Sequence, residues 1–137
     1  MTAPGGRIVL SAWMPEGAIG AAARMLREAT RRALGAPAGP PPFAWHDRDA
    51  LARLLGPHGF AVALTEERLA FTDRSAGDYA DGEFARHPPW IAARAVLEAR
   101  GEAQAVRDRA VAILDAANED PDAFRVTSRY VVATARR

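Results

Sequence analysis

The sequence predicts an α/β fold, and three observations predict it. Segments of strand length, rich in β-branched and other apolar residues, occupy 8–13, 60–71 and 126–135. The segments between them carry apolar side chains at helical spacing. Gly and Pro punctuate the boundaries, most densely at Gly35-Ala36-Pro37-Ala38-Gly39-Pro40-Pro41-Pro42. Strands separated by helices define the class.

The first strand follows the turn Pro4-Gly5-Gly6 and reads Arg7-Ile8-Val9-Leu10-Ser11-Ala12-Trp13. Its apolar run is uninterrupted rather than alternating, the pattern of a strand covered on both faces in a parallel or mixed sheet. Met14-Pro15-Glu16-Gly17 then turns the chain into a helix over 18–34. Ile19, Ala22, Ala23, Leu26, Ala29 and Ala33 share one face of it, with Arg24, Arg27, Arg31 and Arg32 mostly on the other. The Pro-rich segment ends this helix and reads as a connector, because Pro cannot join a central strand.

Asp47 N-caps a short helix over 48–55 whose Leu51, Leu54 and Leu55 point inward, and Gly56-Pro57 stops it. In the second strand, 60–71, Thr65-Glu66-Glu67-Arg68 breaks the alternation and predicts solvent exposure or a bulge. Asp78, Tyr79, Asp81, Glu83 and His87 read as a solvated loop leading into a helix entry, where Pro89 suits the first turn. Two helices follow, over 89–100 and 102–117, with Gly101 between them. Val106, Ala110, Ile113, Leu114 and Ala117 form the apolar stripe of the second. The strand 126–135 closes a chain of three strands and about four helices.

Composition narrows the function classes. A 137-residue chain that is 49% hydrophobic and 26% charged reads as globular rather than disordered. Its net charge of +1 gives no general attraction to nucleic acid or an anionic membrane. Every basic residue is Arg, a trait of coding sequence rather than chemistry. The absence of Cys excludes disulfides, thiolate metal sites and a Cys nucleophile. No basic segment leads an apolar core at the start, and no uncharged run reaches spanning length, so the expected location is cytoplasmic.

His46, His58 and His87 form no i,i+4 pair and no H-E-x-x-H pattern, so no metal site is expected. Gly17-Ala18-Ile19-Gly20 is only G-x-x-G with Glu16 beside it, which suits a tight turn better than a phosphate.

The stretch Pro4-Gly5-Gly6-Arg7-Ile8-Val9-Leu10 resembles the turn and fifth strand of class I S-adenosylmethionine-dependent methyltransferases of the small-molecule kind. Phe43-Ala44-Trp45-His46-Asp47, the helix after it and Gly56-Pro57-His58-Gly59-Phe60 continue the resemblance. Arg125-Val126-Thr127-Ser128-Arg129-Tyr130-Val131-Val132-Ala133 resembles the last strand of that fold. The resemblance covers the C-terminal half of the family's domain. It implies a partial Rossmann-like sheet of three strands, two parallel and one antiparallel between them, within one partial methyltransferase-like domain over 1–137. Residues 73–124 would then be a helical insertion, a substrate cap. The family's glycine-rich cofactor loop is absent, so the cofactor-binding half is expected to be missing. S-adenosylmethionine would serve the parent family without binding this chain tightly.

The resemblance implies a methyl-acceptor pocket outside the carboxyl ends of the strands. Ser11, Trp13 and Met14 lie at that end of the first strand; Trp45 and His46 precede a helix start, and Tyr79 lies in the polar segment before the last helices. Three of them have a plainer reading: Trp13 as a cap on the core, His46 as a hydrogen-bonding residue at a helix entry, Tyr79 as part of a solvated loop. The chain is expected to be the substrate side of a small-molecule methyltransferase, inactive alone. The competing expectation is a non-enzymatic α/β remnant that dimerises or binds a partner. Both predict an edge at residues 8–13 with Arg7 as its only charge, and so a homodimer, unless the missing half covers it.

Overall fold

The computed structural model describes residues 5–137. Its elements in order are β1 (Arg7–Trp13), α1 (Ala18–Ala33), α2 (Arg48–Leu55), β2 (Ala61–Asp73), α3 (Ala76–Arg86), α4 (Pro88–Glu98), α5 (Ala103–Asp115) and β3 (Phe124–Arg136). A 3-10 turn, Gly56–His58, links α2 to β2 and ends on Gly59 at φ 80, a left-handed position that suits Gly. Pro4 of the predicted opening turn lies outside the described residues.

The strands form one sheet of order β1-β3-β2. β1 pairs with β3 antiparallel, from Arg7↔Arg136 to Trp13↔Tyr130. The sheet is antiparallel throughout. β3 does lie between the other two, but β1 and β2 share no ladder. They run the same way only because each opposes β3. The expected sheet with two parallel strands, and the Rossmann-like core it implied, are therefore corrected. The difference starts in β1, whose continuous apolar run does not mean coverage on both faces. No β1 residue is buried; exposed and half-buried side chains alternate along it.

The chain divides into two compact units. The first comprises the described residues up to Met14, with Pro40–Leu69 and Arg129–Arg137. Its buried residues are Leu51 of α2 and Val131, Ala133 and Ala135 of β3. Asp47 caps α2 by accepting from the Ala50 N–H at 2.7 Å. Leu51 is fully buried whereas Leu54 is 42% exposed, so only part of the expected inward face of α2 is used. Thr65, Glu66, Glu67 and Arg68 of β2 are exposed. Glu66 accepts two hydrogen bonds from the Arg129 guanidinium of β3, at 2.7 and 2.6 Å.

The second unit comprises Pro15–Gly39 and Ala70–Ser128. α1 packs on α4 and α5, and α3 packs on the same two helices. Small residues make this close packing possible: Ala22, Ala29, Ala80, Ala93 and Ala110 are all buried, with Leu26, Leu97 and Leu114 filling the space between. Gly17 starts α1 at φ 93, and a Cβ on Gly20 would meet the Pro15 carbonyl oxygen at 3.1 Å. α3 replaces the expected solvated loop. Ser75 caps it by accepting from the Asp78 N–H at 3.0 Å, and Ala76, Ala80 and Phe84 bury one face at i, i+4, i+8. Gly77 and Gly82 weaken its helical propensity, which the tertiary packing overrides.

Candidate functional site

The two units offer different surfaces, and the sequence-predicted residues divide between them. Ser11, Trp13, Met14, Trp45 and His46 belong to the first unit, Tyr79 to the second. Tyr79 is half-buried among rings, 5.1 Å from Phe124 and 6.0 Å from Phe71 between centroids. Burial pushes its phenol pKa up, and the carboxylates of Glu83, its hydrogen-bond partner, and Asp73 add to the shift. A tyrosine so placed stays protonated at neutral pH.

In the first unit, β1 is an edge strand of the sheet. Val9 is 54% and Trp13 49% exposed, and Ser11 between them is exposed as well. Successive residues of a strand point to opposite faces, so these three share one face. Their β3 partners Thr134, Val132 and Tyr130 are half-buried, and the Trp13 and Tyr130 rings meet edge-on at 5.4 Å. Ile8, Leu10 and Ala12 occupy the opposite face with the buried Ala135, Ala133 and Val131. The Met14 N–H donates to the Arg129 carbonyl at 2.9 Å, continuing the ladder one residue past Trp13. Before α2, Phe43 and Trp45 make a second edge-on pair at 4.7 Å, both rings exposed, while His46 is half-buried.

The two edges of the sheet differ in charge. β2 carries Glu66, Glu67 and Arg68 in its exposed stretch, the kind of charge that deters pairing with another chain. β1 carries Arg7 at its start and no proline. The apolar sequence of β1 was the signal for this edge. Its exposed side chains were not legible, because an apolar run looks the same whether it is covered or not.

The second unit holds a cavity of about 330 Å³ lined by Asp81 and Phe84 of α3, Arg94 and Glu98 of α4, and Ala103, Gln104 and Arg107 of α5. Sequence reasoning missed it because α3 was not foreseen. Its charges answer one another. Arg107 donates to both oxygens of Asp81 at 2.6 and 2.8 Å, and Arg94 to Glu98 at 2.6 Å. The hydrogen bonds from Arg107 hold the Asp81 carboxyl below its ordinary pKa. Among the described residues, no group of three or more His, Cys, Asp or Glu could hold a metal ion. None of the helices there is long and apolar enough to cross a membrane.

No protein-family model matches this chain, and no curated protein matches it significantly. Together with the antiparallel sheet, this overturns the methyltransferase resemblance. The S-adenosylmethionine assignment and the substrate-side reading of the chain go with it. Short turn-and-strand motifs carried the resemblance, and such motifs do not fix which strands pair or in what direction.

Proposed function

We propose that this chain is an assembly module whose β1 edge receives a further β-strand. The observation that carries the reading is an apolar edge strand with no fully buried residue, on which Val9 and Trp13 are exposed. An added strand satisfies edge amides and carbonyls and takes apolar side chains out of water in the same step. The charged edge of β2 gives the sheet one receptive side rather than two. Ser11 and Trp13, placed on the exposed face of β1, contact the added strand in this reading.

Sedimentation velocity of the purified chain tests it. At tens of micromolar the native chain is expected to sediment as an associated species. Val9→Lys should shift it to a monomer with an unchanged circular dichroism spectrum, since Val9 already faces solvent. A well-behaved monomer for the native chain, or association untouched by Val9→Lys, overturns the reading.

A further inference from the structure

We infer that the added strand is β1 of a second copy, antiparallel about a two-fold axis through Leu10; the inference rests on the assembly reading above. The ladder within the chain fixes which groups face outward. Met14 donates its N–H toward β3. In an antiparallel pair, successive residues alternate in the direction of their N–H and C=O groups. Ala12, Leu10 and Ile8 therefore bond toward β3, and Ser11 and Val9 present their backbone groups to the outer edge.

A two-fold axis through Leu10 sets Val9 opposite the partner's Ser11. Both are outward-bonding residues, so they exchange both hydrogen bonds. Leu10 then meets the partner's Leu10 at a non-hydrogen-bonded position, where Cα atoms approach to about 4.5 Å. Ile8 lies opposite the partner's Ala12, and these side chains extend the face on which Val131, Ala133 and Ala135 are buried. Arg7 lies across from the partner's Trp13 rather than across from another Arg, and a guanidinium beside an indole is attractive. A one-residue slip would set outward-bonding residues against inward-bonding ones. Axes through Val9 or Ser11 keep the bonding pattern but leave one end of the strand unpaired. Only the axis at Leu10 uses all of Arg7–Trp13. The strand is thus complementary to its own reversed copy in hydrogen bonding, in apolar face and at its single charge, which argues for a second copy over a foreign strand.

The chain contains no Cys, so single cysteines report the register cleanly. Under mild copper-phenanthroline oxidation, Leu10→Cys is expected to form a covalent dimer. An equimolar mixture of Ile8→Cys and Ala12→Cys should cross-link as a heterodimer, with each variant alone staying monomeric on a non-reducing gel. The matched positions should react on the order of ten-fold faster than Val9→Cys alone, because a disulfide needs Cβ atoms within about 4.5 Å. The mixture keeps the test decisive if Leu10→Cys folds poorly. A dimer in sedimentation whose fastest cross-links fall elsewhere overturns this register and leaves the assembly reading standing. A monomer in sedimentation overturns both.

Discussion

Leu51→Ala should cost this protein a large share of its stability, and the reason lies in how α2 is held. The helix is eight residues long, too short to persist in water by itself. Leu51 is its one buried residue, with no exposed surface, whereas Leu54 one turn later is 42% exposed. Truncating a fully buried Leu removes the transfer free energy of its lost carbons and leaves a cavity, together about 2–5 kcal/mol. The upper half of that range applies if the neighbours cannot collapse, and the lower half if α2 swings away and the site fills with water. Folded domains hold about 5–15 kcal/mol in total, so either loss is easily read. Leu54 is partly in water already, so Leu54→Ala loses less burial, leaves no enclosed cavity and should cost about 1 kcal/mol or less. Urea unfolding of the two variants measures the contrast, and hydrogen exchange at the α2 amides shows whether the loss is local. A Leu51→Ala cost below about 1 kcal/mol, or equal costs at both positions, would refute the claim that one side chain anchors this helix.

Three further outcomes follow from the same structure. Backbone hydrogen bonds hold Asp47 and Glu119 below their ordinary pKa, and arginine hydrogen bonds do the same for Glu66 and Asp81. Depressed folded-state values mean stability that is present above the unfolded carboxylate range, at roughly pH 4, and lost as pH falls through the lower folded values; a melting temperature that is flat between neutral pH and pH 3 would contradict this. The Ser128 Oγ is buried with no hydrogen-bond partner among the described residues, so Ser128→Ala should leave stability unchanged or raise it by up to about 1 kcal/mol in urea unfolding, and a clear loss would show that the hydroxyl has a partner. Arg107 and Asp81 join α5 to α3 through two hydrogen bonds, yet both are partly solvated. A double-mutant cycle should give a coupling of at most about 1 kcal/mol that shrinks with added salt, whereas a salt-independent value of several kcal/mol would mean a far drier pair.

The elements that sequence reading found are those whose signal is local. The spacing of Ala22, Leu26, Ala29 and Ala33 gave α1, and those four side chains are buried. Asp47 capped the helix it was expected to cap, and Val106, Ala110 and Leu114 lie in the core. Ala117, at the end of that stripe, lies past the helix and is exposed. α3 was missed because two glycines and a polar surface masked a narrow apolar face of Ala76, Ala80 and Phe84. The setting of β1 was misread for a different reason. Pairing is a property of two segments, and nothing within Ile8-Val9-Leu10 distinguishes a strand covered on both faces from an edge strand with solvent beside it. Of the expected site residues, Ser11, Trp13 and Met14 share β1 and its end, while Tyr79 is packed among the rings of the other unit.

The placement of β3 between β1 and β2 requires no family to explain it. A middle strand needs partners on both edges, and β3 alternates buried and less buried residues along most of its length. The phase of that alternation shifts by one between Ser128 and Val131. β1 and β2 lack that burial and suit the edges. The cost falls on β1. It pairs with residues more than a hundred positions away, from Trp13↔Tyr130 to Arg7↔Arg136. Loop closure of that length is unfavourable, though it grows only slowly with chain length. β1 buries no side chain of its own to offset it. Within one copy, its docking rests on the ladder to β3 and on half-buried contacts such as Leu10 and the edge-on Trp13–Tyr130 pair. A second strand along the outer edge would add hydrogen bonds and burial to an element that has no buried residue of its own. Association and the docking of β1 would then be coupled, each strengthening the other through the same strand.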